Sequence, residues 1–182
     1  GQGGASVDRR RSLEDEDPGS VVIDGTPQLW EVVLSELIKV TGDFVVQAAQ
    51  QLLTINITKL EEVHDFVIEN AAKLEELILD NLEEVNEFRI EGLAQLTKVS
   101  AARLKNVLGN FLVKGNQLLL RLDVPKLEEI LGTADIESNP KLVAGCSTEA
   151  IANFVGEDAC AFWTSLEDGK WESGAKWVKS QW

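Results

Sequence analysis

Gln117-Leu-Leu-Leu-Arg-Leu-Asp-Val-Pro-Lys-Leu127 is the stretch from which the fold is first read. Leu118, Leu120, Leu122 and Val124 alternate with Leu119, Arg121 and Asp123, the period-two signature of a half-buried strand. Pro125 has no amide hydrogen for a sheet ladder and marks the strand's end. Working outward, residues 85–136 are read as strands of a meander, with Lys114-Gly115-Asn116 as its best hairpin turn. Further upstream, Thr26 is placed as N-cap and Pro27 at the first helical position, with Glu31 in the opening turns. Leu29, Val33, Leu37 and Val40 then fall on one face, and Val45, Ala48 and Leu52 extend it beyond Gly42. The spacing predicts a helix over 27–52, bent near Thr41-Gly42.

A second pattern competes with that division. Leu60-Glu-Glu-Val63 recurs as Leu82-Glu-Glu-Val85 and Leu104-Lys-Asn-Val107, each 22 residues on, and Leu127-Glu-Glu-Ile130 follows after 23. Phe44, Phe66 and Phe88 keep the 22-residue step, and Asp43–Leu52, Asp65–Leu74 and Glu87–Leu96 are three copies of one segment. Twenty-two residues is about six helical turns, so Leu60, Val63, Val67, Ala71, Leu74, Ile78, Leu82 and Val85 also fit one face of a continuous helix. That reading predicts an amphipathic bundle of the exchangeable-apolipoprotein kind. Gly92, Gly109, Gly115 and Pro125 oppose it, at about 1 kcal/mol for each glycine and about 3 for the proline. Residues 60–80 stay open between helix and strand. The Thr54–Thr58 segment alternates as a strand does.

The chain has 182 residues, a formal net charge of −14 and no methionine. Such an acidic balance argues against nucleic acid and anionic membranes as partners. Residues 60–92 hold eleven Asp or Glu against Lys73 and Arg89, a solvated face or a docking patch for a basic partner. No apolar run approaches the ~18 residues of a transmembrane segment. Residues 1–20, with Arg9-Arg10-Arg11 and Glu14-Asp15-Glu16-Asp17-Pro18, have the composition of a disordered N-terminal segment, and the tribasic run is a processing site or a charged tail. Residues 21–140 form the expected main domain. Residues 141–182 form a tail carrying both cysteines and Trp163, Trp171, Trp177 and Trp182. Cys146 and Cys160 most simply make one disulfide, worth about 3 kcal/mol in the chain-entropy account. With the glycosylation sequon Asn56-Ile57-Thr58, they point to a secreted, extracellular glycoprotein.

From Asn86 to Ile136 the chain resembles the insect takeout and juvenile-hormone-binding proteins and the group 7 mite allergens of the tubular lipid-binding superfamily. The resemblance rests on Phe88-x-Ile90-x-Gly92-Leu93-x-x-Leu96, Thr97-x-Val99, Ala102-Arg103-Leu104, the strand to Val124, Pro125-Lys126-Leu127 and Gly132-x-Ala134-Asp135-Ile136. It implies a long helix on a curved antiparallel sheet enclosing an apolar tunnel. The expected fold class is therefore α+β with a small disulfide-tied Trp-rich tail, the alternative being an all-α amphipathic helix bundle.

No catalytic constellation accompanies this. His64 is the only histidine and reads as an ordinary surface residue, no metal site is expected, and adjacent pairs such as Glu61-Glu62 and Glu83-Glu84 do not face each other. No phosphate loop is present and no cofactor is implied. The expectation is not an enzyme but a secreted carrier of a hydrophobic small molecule or lipid. Phe66, Ile68, Leu77, Leu79, Phe88, Ile90, Leu118, Leu120, Leu122 and Val124 would line its cavity. The alternative is a secreted structural or interaction protein that assembles with copies of itself or a protein partner through its apolar faces and Trp-rich tail.

Overall fold

A computed structural model describes residues 19–142. Consider the segment from Phe66 to Val85. Its fully buried side chains are Phe66, Ile68, Ala71, Leu74, Leu77, Leu79, Leu82 and Val85. They are two residues apart where the chain runs as a strand and three apart where it turns. A chain with this spacing cannot bury one stripe of a helix. It coils around a central axis, turning every inward residue toward the same interior. Phe44–Val63 and Phe88–Val107 repeat the pattern one coil before and one coil after.

The result is a parallel β-solenoid. Its largest sheet has nine strands: β1 (Val21–Asp24), β3 (Lys39–Val40), β4 (Phe44–Gln47), β6 (Glu62–Glu69), β8 (Glu84–Glu91), β10 (Asn106–Val107), β11 (Phe111–Lys114), β13 (Glu129–Ile130) and β14 (Ala134–Glu137). A second face holds β7 (Glu76–Ile78), β9 (Lys98–Ser100) and β12 (Arg121–Asp123), and β2 (Glu31–Val33) pairs with β5 (Thr54–Asn56). Every strand pair among the described residues is parallel. The register places Phe44 on Phe66, Phe66 on Phe88 and Phe88 on Phe111, so one coil is 22 or 23 residues.

Identical side chains in register make ladders. The four phenylalanines stack face to face with centroids 5.3, 5.8 and 5.1 Å apart and interplanar angles of 9–20°. That spacing follows from the roughly 4.8 Å between paired strands. Leucine columns run beside them: Leu52, Leu74, Leu96 and Leu119, then Leu60, Leu82, Leu104 and Leu127.

The extra residue of the longer coils has one location. Val63-His64-Asp65-Phe66 and Val85-Asn86-Glu87-Phe88 have two residues between their buried ends, and there β6 and β8 run unbroken for eight residues. Val40-Thr-Gly42-Asp-Phe44, Val107-Leu-Gly109-Asn-Phe111 and Ile130-Leu-Gly132-Thr-Ala134 have three, and there the strand divides in two. The inserted residue bulges the strand. Gly109 and Gly132 stack so closely that a Cβ on Gly132 would lie 2.5 Å from the Gly109 carbonyl oxygen.

Each coil leaves the large sheet through a left-handed residue: Gly25, Ala48, Asn70, Gly92, Gly115 and Ser138, with φ from 52° to 69°. Two asparagines follow this corner indoors. Asn116 accepts a hydrogen bond from the Leu93 amide at 3.0 Å and donates to the Ile90 carbonyl and to Asn139 Oδ1, each at 3.2 Å. Asn139 donates to the Val113 carbonyl at 2.8 Å. Buried polar groups of this kind must be paired, and these are.

The α+β expectation and its all-α alternative are both overturned, because no described residue is helical. The segment 27–52 contains β2, β3 and β4 instead of a helix. The helix-like spacing comes from reading inward and outward apolar residues as one stripe. Position-by-position burial separates the two. Val33, on the expected helix stripe, is 55% exposed while Val32 is 4% exposed. Val67 and Ile78, needed on the 60–85 stripe, are only half-buried. Gly115 forms a coil corner, not a hairpin turn, and β8 to β14 are parallel rungs of successive coils, not a meander. The helix on an antiparallel sheet implied by the family resemblance is likewise absent from the described residues. Residues 1–18 and 143–182, with the expected disulfide and Trp-rich tail, lie outside them.

Candidate functional site

The residues nominated for a cavity lie in the solid interior or on the surface. Phe66, Ile68, Leu77, Leu79, Phe88, Ile90 and Val124 are 0% exposed and Leu122 is 1% exposed, all members of one continuous core cluster. Leu118 is half-buried and Leu120 is 47% exposed. The strand expected over 118–124 is only Arg121–Asp123, and Leu119 takes the inward position ahead of it. Ring-on-ring contact of Phe66 with Phe88 fills the space between them.

Chemistry is therefore carried by the outward-facing columns of the large sheet. The central column reads Val45, Val67, Arg89, Leu112 and Asp135 by register. Arg89 lies 2.6 Å from Glu87 Oε1 and 3.2 Å from Glu69 Oε1. Burial works against its charge most strongly, but the two carboxylates outweigh this and hold its pKa above the ordinary value. Lys114 lies 2.6 Å from the buried Asp135 and 3.4 Å from Glu137. The hydrogen bond to Asp135 is the main reason its pKa is raised. Glu69, Asn70, Arg89, Glu91, Lys114 and Glu137 line an open polar cleft of about 520 Å³ along the left-handed corner. Its cations are already satisfied by carboxylates.

The opposite margin of this sheet is an acidic stripe. Glu61 and Glu62, Glu83 and Glu84, and Glu128 and Glu129 recur as one pair per coil, interrupted by Lys105 and Asn106. Lys39 pairs with Glu62, and Lys105 pairs with Glu83 at 3.0 Å, which lowers the Glu83 pKa chiefly through that hydrogen bond. Asn106 donates to Glu84. Glu61, Glu84, Glu128 and Glu129 have no cation partner among the described residues.

Between stripe and central column lies His64. Its Nδ1 is 3.0 Å from Asp43 Oδ1 and 3.5 Å from Asp65 Oδ1. The hydrogen bond with Asp43 is the largest cause of its raised pKa. Asp65 is itself held, because its Oδ1 accepts from Asn86 Nδ2 at 2.7 Å and from the Glu87 amide at 3.1 Å. A lone histidine in sequence gave no warning of this cluster. The signal was the copy Asp43-Phe44 and Asp65-Phe66, which the parallel register turns into neighbours.

Asn56, the sequon asparagine, is exposed on β5, with Thr58 Oγ1 3.4 Å from its Oδ1. No helix among the described residues is long and apolar enough to cross a membrane. No family model, curated protein or solved structure matches the chain.

Proposed function

We propose that this chain is a secreted interaction protein that docks a basic protein surface along the acidic stripe of its large sheet. One observation carries the reading. Stacked apolar side chains fill the interior, while Glu61, Glu84, Glu128 and Glu129, with no cation partner among the described residues, stand on three coils of one exposed margin. A solenoid spaces its coils by roughly 4.8 Å, so these carboxylates stand at defined steps that suit recognition of an extended basic segment. The carrier reading is less favoured, since its ligand would have to displace packed side chains at a cost of several kcal/mol. Secretion is proposed from the accessible Asn56 sequon.

Binding of an arginine-rich polypeptide, measured by calorimetry at low and high salt, tests the docking reading. The affinity should fall steeply with salt, and Glu61→Gln, Glu84→Gln, Glu128→Gln and Glu129→Gln combined should weaken it further. Indifference to both changes would reject the stripe. Native mass spectrometry of protein from its natural source decides against the carrier. A stoichiometric lipid in the spectrum would reinstate it. Loss of mass on treatment with peptide N-glycosidase tests secretion.

A further inference from the structure

We propose that Asp43, His64 and Asp65 form a divalent-cation site selective for a zinc-like ion. Three donors of the right kind converge here, since one ligand atom from each residue lies within 4.8 Å of the other two. In a tetrahedral site with bonds of about 2.1 Å, ligand atoms sit roughly 3.4 Å apart. The separations from His64 Nδ1, 3.0 and 3.5 Å, bracket that value. Two carboxylates and a neutral imidazole carry charge −2, which a divalent ion cancels. A protonated imidazole cancels only half of it.

One donor is also positioned from outside the cluster. Asn86 and the Glu87 amide fix the Asp65 carboxylate as described above, the kind of outer support that orients a metal ligand. The same column shows that this support is independent of charge. Asn110 stands in the equivalent place two coils on and accepts from the Thr133 amide at 3.0 Å in the same way. Asp43 and Asp65 belong to adjacent coils locked in register by β4 and β6, so an ion would tie one coil to the next. One nitrogen and two carboxylate oxygens favour zinc or a similar transition ion over calcium or magnesium, which prefer six or more oxygens. His64, Asp43 and Asp65 are 58%, 42% and 28% exposed, leaving the fourth position open to water.

His64 is the chain's sole histidine, so its ring is a site-specific reporter in the full-length protein. Zn²⁺ is titrated into isotope-labelled protein at neutral pH while the imidazole resonances are followed. The expected result is a saturable shift with zinc and none with Mg²⁺. Asp65→Asn keeps the oxygen that accepts from Glu87, mimics Asn110, and should weaken zinc binding by roughly tenfold or more. Ring signals that ignore excess zinc, that move equally with Mg²⁺, or that titrate identically in the Asp65→Asn protein would each overturn the assignment. An unchanged circular dichroism spectrum for the variant confirms that the comparison is between folded proteins.

Discussion

Replace Phe66 by alanine and the ring ladder is cut in its middle. A buried phenylalanine truncated to alanine costs about 3–5 kcal/mol. Phe66 touches a ring on each side, Phe44 at 5.3 Å and Phe88 at 5.8 Å. Each aromatic pair contributes about 0.5–1.5 kcal/mol beyond area burial, so the cost should lie at the upper end of the range. Phe44 has one ring neighbour, and its truncation should cost about 1 kcal/mol less. Equilibrium urea unfolding of single and double alanine variants separates these contributions. The cycle for Phe66 and Phe88 should return a coupling of about 1 kcal/mol. Phe44 and Phe88 have Phe66 between them and should couple near zero. On a continuous helix, residues 22 apart would be separated by about 33 Å, and neither pair would couple. Equal couplings for the two pairs, or none for Phe66 and Phe88, would refute the ladder.

Three further outcomes are expected. Gly132→Ala should destabilise by about 2 kcal/mol or more in the same unfolding assay, because its new Cβ meets the Gly109 carbonyl at 2.5 Å. Gly25→Ala, with φ of 58° and open space around the Cβ position, should cost only about 1 kcal/mol. Asn116→Leu strands the Leu93 amide and the Ile90 carbonyl in the interior, takes one donor from Asn139 Oδ1 and should cost about 2–4 kcal/mol, with hydrogen exchange rising first at the Leu93 amide. The His64 pKa, followed by its ring resonances, should lie above 6.5 and fall toward that value in Asp43→Asn. Since the folded value is the raised one, the stabilisation from the His64–Asp43 pair is fully present below about pH 6.5. It disappears as pH rises through the folded value, so wild type and His64→Gln should converge in urea midpoint there.

The repeat was legible before any coordinates. The Leu60, Leu82, Leu104 and Leu127 copies and the Phe44, Phe66 and Phe88 series are coil equivalents. The one-residue slip before Leu127 is the strand-splitting insertion at Gly109. What misled was the assumption that apolar spacing of three and four means a helix. At a solenoid corner the chain turns with two outward residues between inward ones, and burial of Val32 with exposure of Val33 is the consequence. Gln117–Leu127 misled for a related reason. Three consecutive apolar residues offer either parity, and the inward choice of Leu119 is dictated by Leu96, against which the coil stacks it. The metal-ligating cluster was hidden because its members, Asp43 and His64, are 21 residues apart in sequence.

Sequence alone determined the period, the composition of the core and the acidic exterior, because these depend on which residues recur and how often. It did not determine that the copies stack. Whether a 22-residue repeat runs along a helix or closes into a coil turns on cross-strand hydrogen bonds and ring contacts between residues a full repeat apart. Those contacts exist only in the tertiary structure. They alone make Phe66 a neighbour of Phe88, and Asp43 a neighbour of His64.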